Sequence, residues 1–243
     1  MSYRNVRIIA VGAIALCASA AFVSAASAAS TTTKPKAGAA SSAGMAPIPL
    51  KLPKPAFLGT PKQIPPGLKN LEMPSARPRP AFYAPIGVTN VALHKPVTGS
   101  DNNPITGTLS LVTDGDKGAT EGSWVEMGPG TQWAQIDLQK TYKIYAIVVW
   151  HYHAEARVYR DVVVQVADDP DFITNVRTLF NNDSDNEIGL GLGKDKQYFE
   201  SYEGKLIHGN GDVARYVRLY SHGNTADDQN HYTEVEVYGL PAK

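Results

Sequence analysis

The sequence predicts an all-β fold, an antiparallel β-sandwich, over residues 90–243. In TQWAQIDL, Ala134, Ile136 and Leu138 occupy alternate positions, which is typical of a strand with one buried face. KIYAIVVW, DVVVQVAD, ARYVRLYS and HYTEVEVYG are rich in β-branched and aromatic residues and show no helical stripe. Clusters of Gly, Asn, Asp and Pro separate these stretches. Short strands at this spacing indicate one sandwich domain, large enough to bury a core without disulfides.

Residues 1–29 are typical of a secretory signal. Arg4 and Arg7 precede an apolar run, and small residues follow up to Ala28. We therefore expect export to the periplasm, the cell surface or the extracellular space, with the segment either cleaved or retained as an anchor. The single cysteine, Cys17, falls inside this segment, so the rest of the chain cannot form a disulfide.

Residues 30–89 form a proline-rich and basic segment, with stretches such as PIPLKLPKPAFLGTPKQIPPGLKN and SARPRPAFYAP. Proline fixes φ and removes a backbone donor, so we expect disordered or extended chain that acts as a spacer. Basic residues dominate here, with Glu72 as the one acid. Because the whole chain carries 23 basic and 23 acidic residues, the remainder is acidic overall. A nucleic-acid partner is therefore not expected.

Several stretches of the C-terminal part resemble one known family. They are NVALHKPVTGS, LVTDGDKGATEGSW, QWAQIDLQKTYKIYAIVVW, RDVVVQVADDPDF and ARYVRLYSHGN with HYTEVEVYG. Together, from Asn90 to Gly239, they resemble the discoidin, or coagulation factor V/VIII type C, domain. That family shares its galactose-binding-like jelly roll with many bacterial carbohydrate-binding modules. The resemblance implies a jelly roll whose binding loops cluster at one end of the sandwich.

The turn Asp114-Gly115-Asp116 places two carboxylates close together. Calcium binds six to eight hard oxygens, although a metal-free turn would show the same pattern. The resemblance implies a structural calcium held by the side chains of Asp114 and Glu234 and by the carbonyls of Leu111, Asp116 and Thr233. The following GATEGSW is longer than the usual spacing to the tryptophan, so Ala119, Thr120 and Glu121 all remain candidates to complete the shell.

The stretch VVWHYHAEARVYRD contains His151 and His153, whose i, i+2 spacing lets both side chains point the same way on extended chain. Zinc needs three or four ligands, and His222 and His231 are the further candidates. Histidines are scattered along the chain and no cysteine accompanies them. We therefore expect rim or loop-ordering residues rather than zinc ligands.

Two other patterns point away from metal or catalytic chemistry. FNNDSDNEIGLGLGKDKQ has acids at Asp183 and Asp185 but lacks the glycine and the distant glutamate of a helix-loop-helix calcium site, so we expect a polar surface loop. The sequence has no G-x-S-x-G motif and no cysteine nucleophile after the signal segment. A non-catalytic binding role is favoured over an enzyme.

The resemblance places three loops at one end of the sandwich: SDNNPITG, HYHAEARVY and SHGNTADDQNHY. Sugar sites combine planar polar groups with an aromatic ring that covers the apolar face of the pyranose. We expect Tyr152 to stack, and polar contacts from Asp101, Asn102, His151, His153, Arg157, Asn224 and Asn230. The alternatives are that Arg157 pairs with a carboxylate, that Tyr152 packs below it and that the asparagines order turns.

The predicted function is therefore recognition of a cell-surface or extracellular glycan. Two other functions remain open: a protein–protein adhesion module of the cell envelope that uses the same loops, and a glycan-active enzyme with facing carboxylates. Phospholipid binding would require protruding apolar loop tips, and the loops here are polar. A membrane partner is accordingly not expected.

Overall fold

The computed structural model describes residues 44–57, 61, 63–68 and 70–242. The predicted signal segment lies outside the described residues, as does the first part of the proline-rich segment. The described part contains thirteen strands and one short 3-10 helix, Leu109–Thr113. Within it, no helix is long and apolar enough to span a bilayer.

The strands are numbered in chain order. They are β1 Met45–Pro47, β2 Leu71–Glu72, β3 Tyr83–Pro85, β4 Thr89–Asn90, β5 Val97–Gly99, β6 Val125–Met127, β7 Thr131–Trp150, β8 Val163–Ala167, β9 Arg177–Asn181, β10 Gln197–Tyr198, β11 Lys205–His222, β12 Asn230–Tyr232 and β13 Glu234–Pro241.

The largest sheet is antiparallel throughout, with the order β4-β13-β7-β11-β8-β9 and with β5 also paired to β7. The long β7–β11 ribbon is interrupted by two register shifts near its middle. One half of β7 pairs with β5, and the other half pairs with β13. The two halves of the ribbon therefore pair with different sets of strands. The predicted all-β antiparallel sandwich is confirmed.

The inner faces of the strands form one apolar core. Alternate residues of β7 point into it, including Ala134, Ile136 and Leu138, as the sequence pattern predicted. Val164 and Val166 of β8 join them from a neighbouring strand. Burying a side chain of this size contributes roughly 1.5–3 kcal/mol, so these strands carry a large share of the stabilisation.

The proline-rich segment covers the outer face of the β7–β13 half. Ile48, Ala84 and Val88 pack there against Val148 and Trp150 in a second buried cluster. This contact explains why KIYAIVVW is apolar at nearly every position, because both faces of that strand are buried. The described part of the segment contains the short strands β1 to β3, and its packing on the sheet was not predicted. Its role as a spacer and the domain boundary at 89/90 stay predictions.

Arg79 fixes the end of this segment to the turn before β11. Its guanidinium donates hydrogen bonds to the carbonyls of Gly204 at 2.6 Å and Glu203 at 2.7 Å. Burial lowers the pKa of Arg79, although Glu203 partly opposes this effect. The two carbonyl bonds compensate for the loss of water around the partly buried cation.

Candidate functional site

Loops from different parts of the chain meet at one end of the sandwich. The backbone N–H of Arg160 donates to the carbonyl of Gly223 at 3.0 Å, and that of Thr225 donates to Val158 at 3.0 Å. These bonds tie the 151–161 loop to the 222–230 loop. The second and third predicted binding loops therefore contact each other directly.

Asn224 and Asn230 order this loop cluster from within. Both are fully buried. The Asn224 side-chain oxygen accepts bonds from the N–H groups of Ala226 and Asp227, at 2.8 and 3.2 Å. The Asn230 amide donates to the carbonyl of Gly128 at 2.9 Å and to a second carbonyl two residues later. Such saturated amides shape a loop, which is the turn-ordering alternative that the sequence had left open.

Asp101 joins the first loop to the same cluster. Its carboxylate accepts hydrogen bonds from the N–H groups of Asn103 and Gly128, both at 2.9 Å. Asn102 beside it is exposed. Asp101 therefore positions the loop, and Asn102 is the residue of the pair that is open to a ligand.

His151 and His153 lie in the interior rather than on the surface. Both are fully buried. His151 Nδ1 lies 2.6 Å from Glu200 Oε1, and the imidazole stacks on Tyr159 with ring centroids 4.3 Å apart. His153 Nε2 lies 2.9 Å from the carbonyl oxygen of Lys117. In these positions the two rings anchor the loop to the core and do not reach a surface ligand.

Tyr152, between the two histidines, instead lies at the surface with Arg157. The Arg157 guanidinium carbon is 4.7 Å from the centre of the Tyr152 ring, within cation–π range. Trp124 meets Tyr152 edge to face, with centroids 4.8 Å apart. All three side chains are half-buried, so each keeps a solvent-facing part. We call Trp124, Tyr152 and Arg157 the aromatic–arginine patch.

Two carboxylates hold the guanidinium of the patch. Arg157 Nη1 donates to Asp227 Oδ2 at 2.9 Å, and Nη2 donates to Glu155 Oε2 at 3.0 Å. Burial lowers the pKa of Arg157, but Glu155, Tyr159 and Asp227 more than offset this effect and raise it. Together with Asp227 and Glu155, the patch thus presents a fixed cation, two acceptor groups and two aromatic rings.

A buried histidine supports the patch from below. His231 Nδ1 lies 3.0 Å from the Tyr159 hydroxyl, and the His231 ring is 6.0 Å from that of Tyr152. Burial lowers the pKa of His231 to about 4, with Arg157 and His151 also lowering it and Asp227 opposing them. His231 is therefore a neutral packing residue at neutral pH.

Tyr152 and Arg157 were both among the predicted contacts, whereas Trp124 was not. The signal for Trp124 was present, because it closes the polar loop DGDKGATEGSW, where a large aromatic residue has no strand pattern to explain it. His231 and Asp227 were likewise absent from the predicted contacts. Their roles depend on the meeting of two loops, which local sequence does not reveal.

Two of the predicted calcium ligands, Asp114 and Glu234, lie near each other at a second place, beside the 3-10 helix. Asp114 ends this helix, and its Oδ1 accepts a bond from the N–H of Asp116 at 2.8 Å. Gly115 has a φ of 93°, which suits glycine, and its N–H donates to Glu234 Oε2 at 3.0 Å. Thr233 is buried and precedes Glu234, whereas Leu111 lies within the helix. The structure thus joins the early acidic loop to the start of β13.

The other oxygen of Glu234 identifies this place as a candidate cation site. Oε1 is buried and has no hydrogen-bond partner among the described residues. Burial raises the pKa of Glu234 to about 9; Glu236 and Asp114 add to the rise, while the Gly115 bond and Lys117 oppose it. Oε1 is thus a buried oxygen that accepts no hydrogen bond and that lies near a second carboxylate. Oxygen ligands of this kind suit a hard cation such as calcium.

Residues 111–219 match an F5/F8 type C family model described as a NedA-like, galactose-binding domain. No curated protein matches the chain. Solved structures do match. A CBM32 module of Clostridium perfringens in complex with GlcNAc-α-1,4-galactose is 19% identical, with a TM-score of 0.46, and the match covers 64% of this chain and 96% of that one.

Two further structures are similar. Chitosan-binding module 1 of a chitosanase/glucanase from Paenibacillus sp. IK-5 is 21% identical, with a TM-score of 0.42 and coverage of 62% and 98%. A fucose-binding module of Streptococcus pneumoniae is 17% identical, with a TM-score of 0.40 and coverage of 62% and 98%. Residues 111–219 are thus similar in sequence to F5/F8 type C-like galactose-binding domains, and the antiparallel β-sandwich is the fold that this similarity implies.

Proposed function

We propose that this chain is an exported, non-catalytic protein that binds a cell-surface or extracellular glycan through the aromatic–arginine patch. The observation that carries the proposal is the position of Tyr152. It lies at the loop end of a galactose-binding-like domain, edge to face with Trp124 and over Arg157.

The chemistry of the patch suits a sugar. The apolar face of a pyranose packs against an aromatic ring, while its hydroxyls need donors and acceptors at the ring edge. Arg157 supplies donors, and Asp227 and Glu155 supply acceptors. Because the carboxylates already hold the guanidinium, little conformational entropy is lost when a ligand binds. Exposed Asn102 extends the polar rim.

We also propose that calcium orders this end of the fold without taking part in chemistry. Asp114 and Glu234 would supply carboxylate oxygens, and Leu111, Asp116 and Thr233 would supply carbonyls. The unpartnered Glu234 Oε1 supports this assignment. His153 connects the two places, because it accompanies Tyr152 in sequence and contacts the carbonyl of Lys117 in the calcium loop.

A protein partner in the envelope is the second candidate function. Ile105 in the first loop is 59% exposed, which is an apolar feature that a sugar site does not require. A protein interface would use Ile105 together with the patch. In that case Ile105→Ser should weaken binding of the protein partner and leave sugar binding unchanged.

Glycan-array binding of the purified chain tests the proposal, with Tyr152→Ala as the test variant and Tyr83→Ala as the matched control. Tyr83 is 57% exposed on β3, in the proline-rich segment. We expect Tyr152→Ala to weaken glycan binding at least about tenfold, or about 1.4 kcal/mol, and the control to bind like the native chain. Binding that is absent from every glycan, or equal in the two variants, would remove the patch from consideration.

A further inference from the structure

A group of metal-type ligands lies outside both sites described above, at the ends of β8, β9 and β11. The antiparallel register explains how it forms. Val163 pairs with Tyr220 on one side and with Asn181 on the other. Two residues beyond each of these positions lie Asp161, His222 and Asp183, respectively. Backbone bonds from His222 N to Arg160 O and from Asn182 N to Val162 O, at 2.9 and 3.1 Å, continue the pairing to this end.

We propose that Asp161, Glu187 and His222 bind a divalent transition-metal ion of the zinc type. One ligand atom from each of the three lies within 4.8 Å of the others. His222 Nδ1 is 3.9 Å from Asp161 Oδ2 and 3.8 Å from Glu187 Oε1. Two ligand atoms at that separation can both lie about 2.2 Å from one ion. The ligand–metal–ligand angle is then about 120°, which is within the range of zinc coordination.

The Asp161 carboxylate is the observation that points to a ligand. Its side chain is only 9% exposed, and it accepts no hydrogen bond from any described residue. Its nearest basic atom, His222 Nδ1 at 3.9 Å, is beyond hydrogen-bond distance. Buried carboxylates are normally hydrogen-bonded, so one that instead faces an imidazole and a second carboxylate is suited to binding a cation.

The charge around Asp161 agrees with this interpretation. Burial raises its pKa to about 6, with Asp183, Glu187 and Asp185 adding to the rise and His222 opposing it. Asp161, Asp183 and Asp185 form a second group of ligand atoms within 4.8 Å. A divalent ion would convert this repulsion into attraction.

Loop ordering alone accounts for only part of the cluster. Asp183 is fully buried, and its two oxygens accept the N–H groups of Glu187 and Ile188 at 3.0 and 3.1 Å, which closes the loop after β9. That arrangement explains Asp183. It also presents Glu187 toward His222, and it leaves Asp161 without a donor.

The donor types decide the class of ion. Calcium and magnesium bind oxygen ligands, whereas an imidazole together with carboxylates suits zinc and its neighbours in the first transition row. Glu187 and His222 have side chains that are 57% and 31% exposed, so the ion has a path from solvent and room for water as a further ligand. The proposed site is thus separate from the calcium site at Glu234.

Zinc titration of the full, untagged and metal-free chain by calorimetry tests the proposal. We expect one saturable equivalent, and affinity at least about tenfold weaker for Asp161→Asn and for His222→Gln, since loss of an outer-shell partner alone typically costs 10- to 100-fold. His208→Gln is the matched control on the same strand, because His208 is exposed and packs on Phe82. Glu234→Gln should also keep zinc binding.

Thermal melting in chelator separates a metal ligand from a structural carboxylate. Asp161→Asn should melt no lower than the native chain, because it removes a largely buried carboxylate that accepts no hydrogen bond from the described residues. Zinc should raise the melting temperature of the native chain only. The proposal is overturned if the native chain shows no saturable zinc binding, if the two ligand variants bind like the control, or if Asp161→Asn melts well below the native chain without metal.

Discussion

Replacement of His231 by glutamine should remove a large part of the acid sensitivity of this fold. His231 is 5% exposed and is held beneath the aromatic–arginine patch, with Nδ1 3.0 Å from the Tyr159 hydroxyl. Burial lowers its pKa from 6.5 to about 4. Glutamine is neutral at every pH and can still accept a bond from the tyrosine hydroxyl, so the variant isolates the effect of protonation.

The direction and size of the change in unfolding free energy with pH follow from the difference between the pKa of His231 in the folded and unfolded states. Because the folded-state pKa is lowered, the neutral ring stabilises the fold fully above pH 6.5, and this contribution is lost as the pH falls toward 4. Each pH unit in that window costs about 1.4 kcal/mol. Between pH 7 and pH 5 the native chain should therefore lose about 2 kcal/mol of unfolding free energy through His231.

Urea denaturation at pH 7 and pH 5 measures this loss. The native chain and the control His208→Gln should lose about 2 kcal/mol more than His231→Gln over this interval, while all other titrating groups cancel in the difference. Equal losses in His231→Gln and the native chain would show that His231 is not held neutral by burial, and the reasoning would fail.

Three further outcomes are expected. Gly204→Ala should destabilise the fold by at least about 2 kcal/mol more than Gly189→Ala. Both glycines have a positive φ, but only a Cβ at Gly204 would lie 2.6 Å from the Trp150 ring. Urea denaturation of both variants measures the difference, and equal effects would contradict the prediction. Arg79→Ala should release the proline-rich segment from the sheet. Limited proteolysis would then show faster cleavage before β4, while the strands of the core stay resistant to the protease. Glu234→Gln should abolish the rise in melting temperature that calcium gives the native chain, and an undiminished rise would exclude Glu234 as a ligand.

The strands were predictable because their pattern is local. Ala134, Ile136 and Leu138 alternate in the sequence and do point into the core. Tyr152 and Arg157 were predicted as contacts because the family resemblance places their loop at the binding end and because sugar sites combine an aromatic ring with planar polar groups; their roles stay predictions. The buried state of His151 was not predictable, because its partner Glu200 is 49 residues away.

The sequence by itself therefore determined the fold class, the proline-rich composition and the acidic turn, and it predicted Tyr152 and Arg157 as contacts, because these features depend on residue type and short spacing. Only the tertiary structure decided which polar side chains are buried and hydrogen-bonded within the fold. Asn230 reaches Gly128 across 102 residues, and Asp161 meets His222 through strand pairing. Burial and partner choice arise from contacts between distant segments, and the register of the strands fixes those contacts.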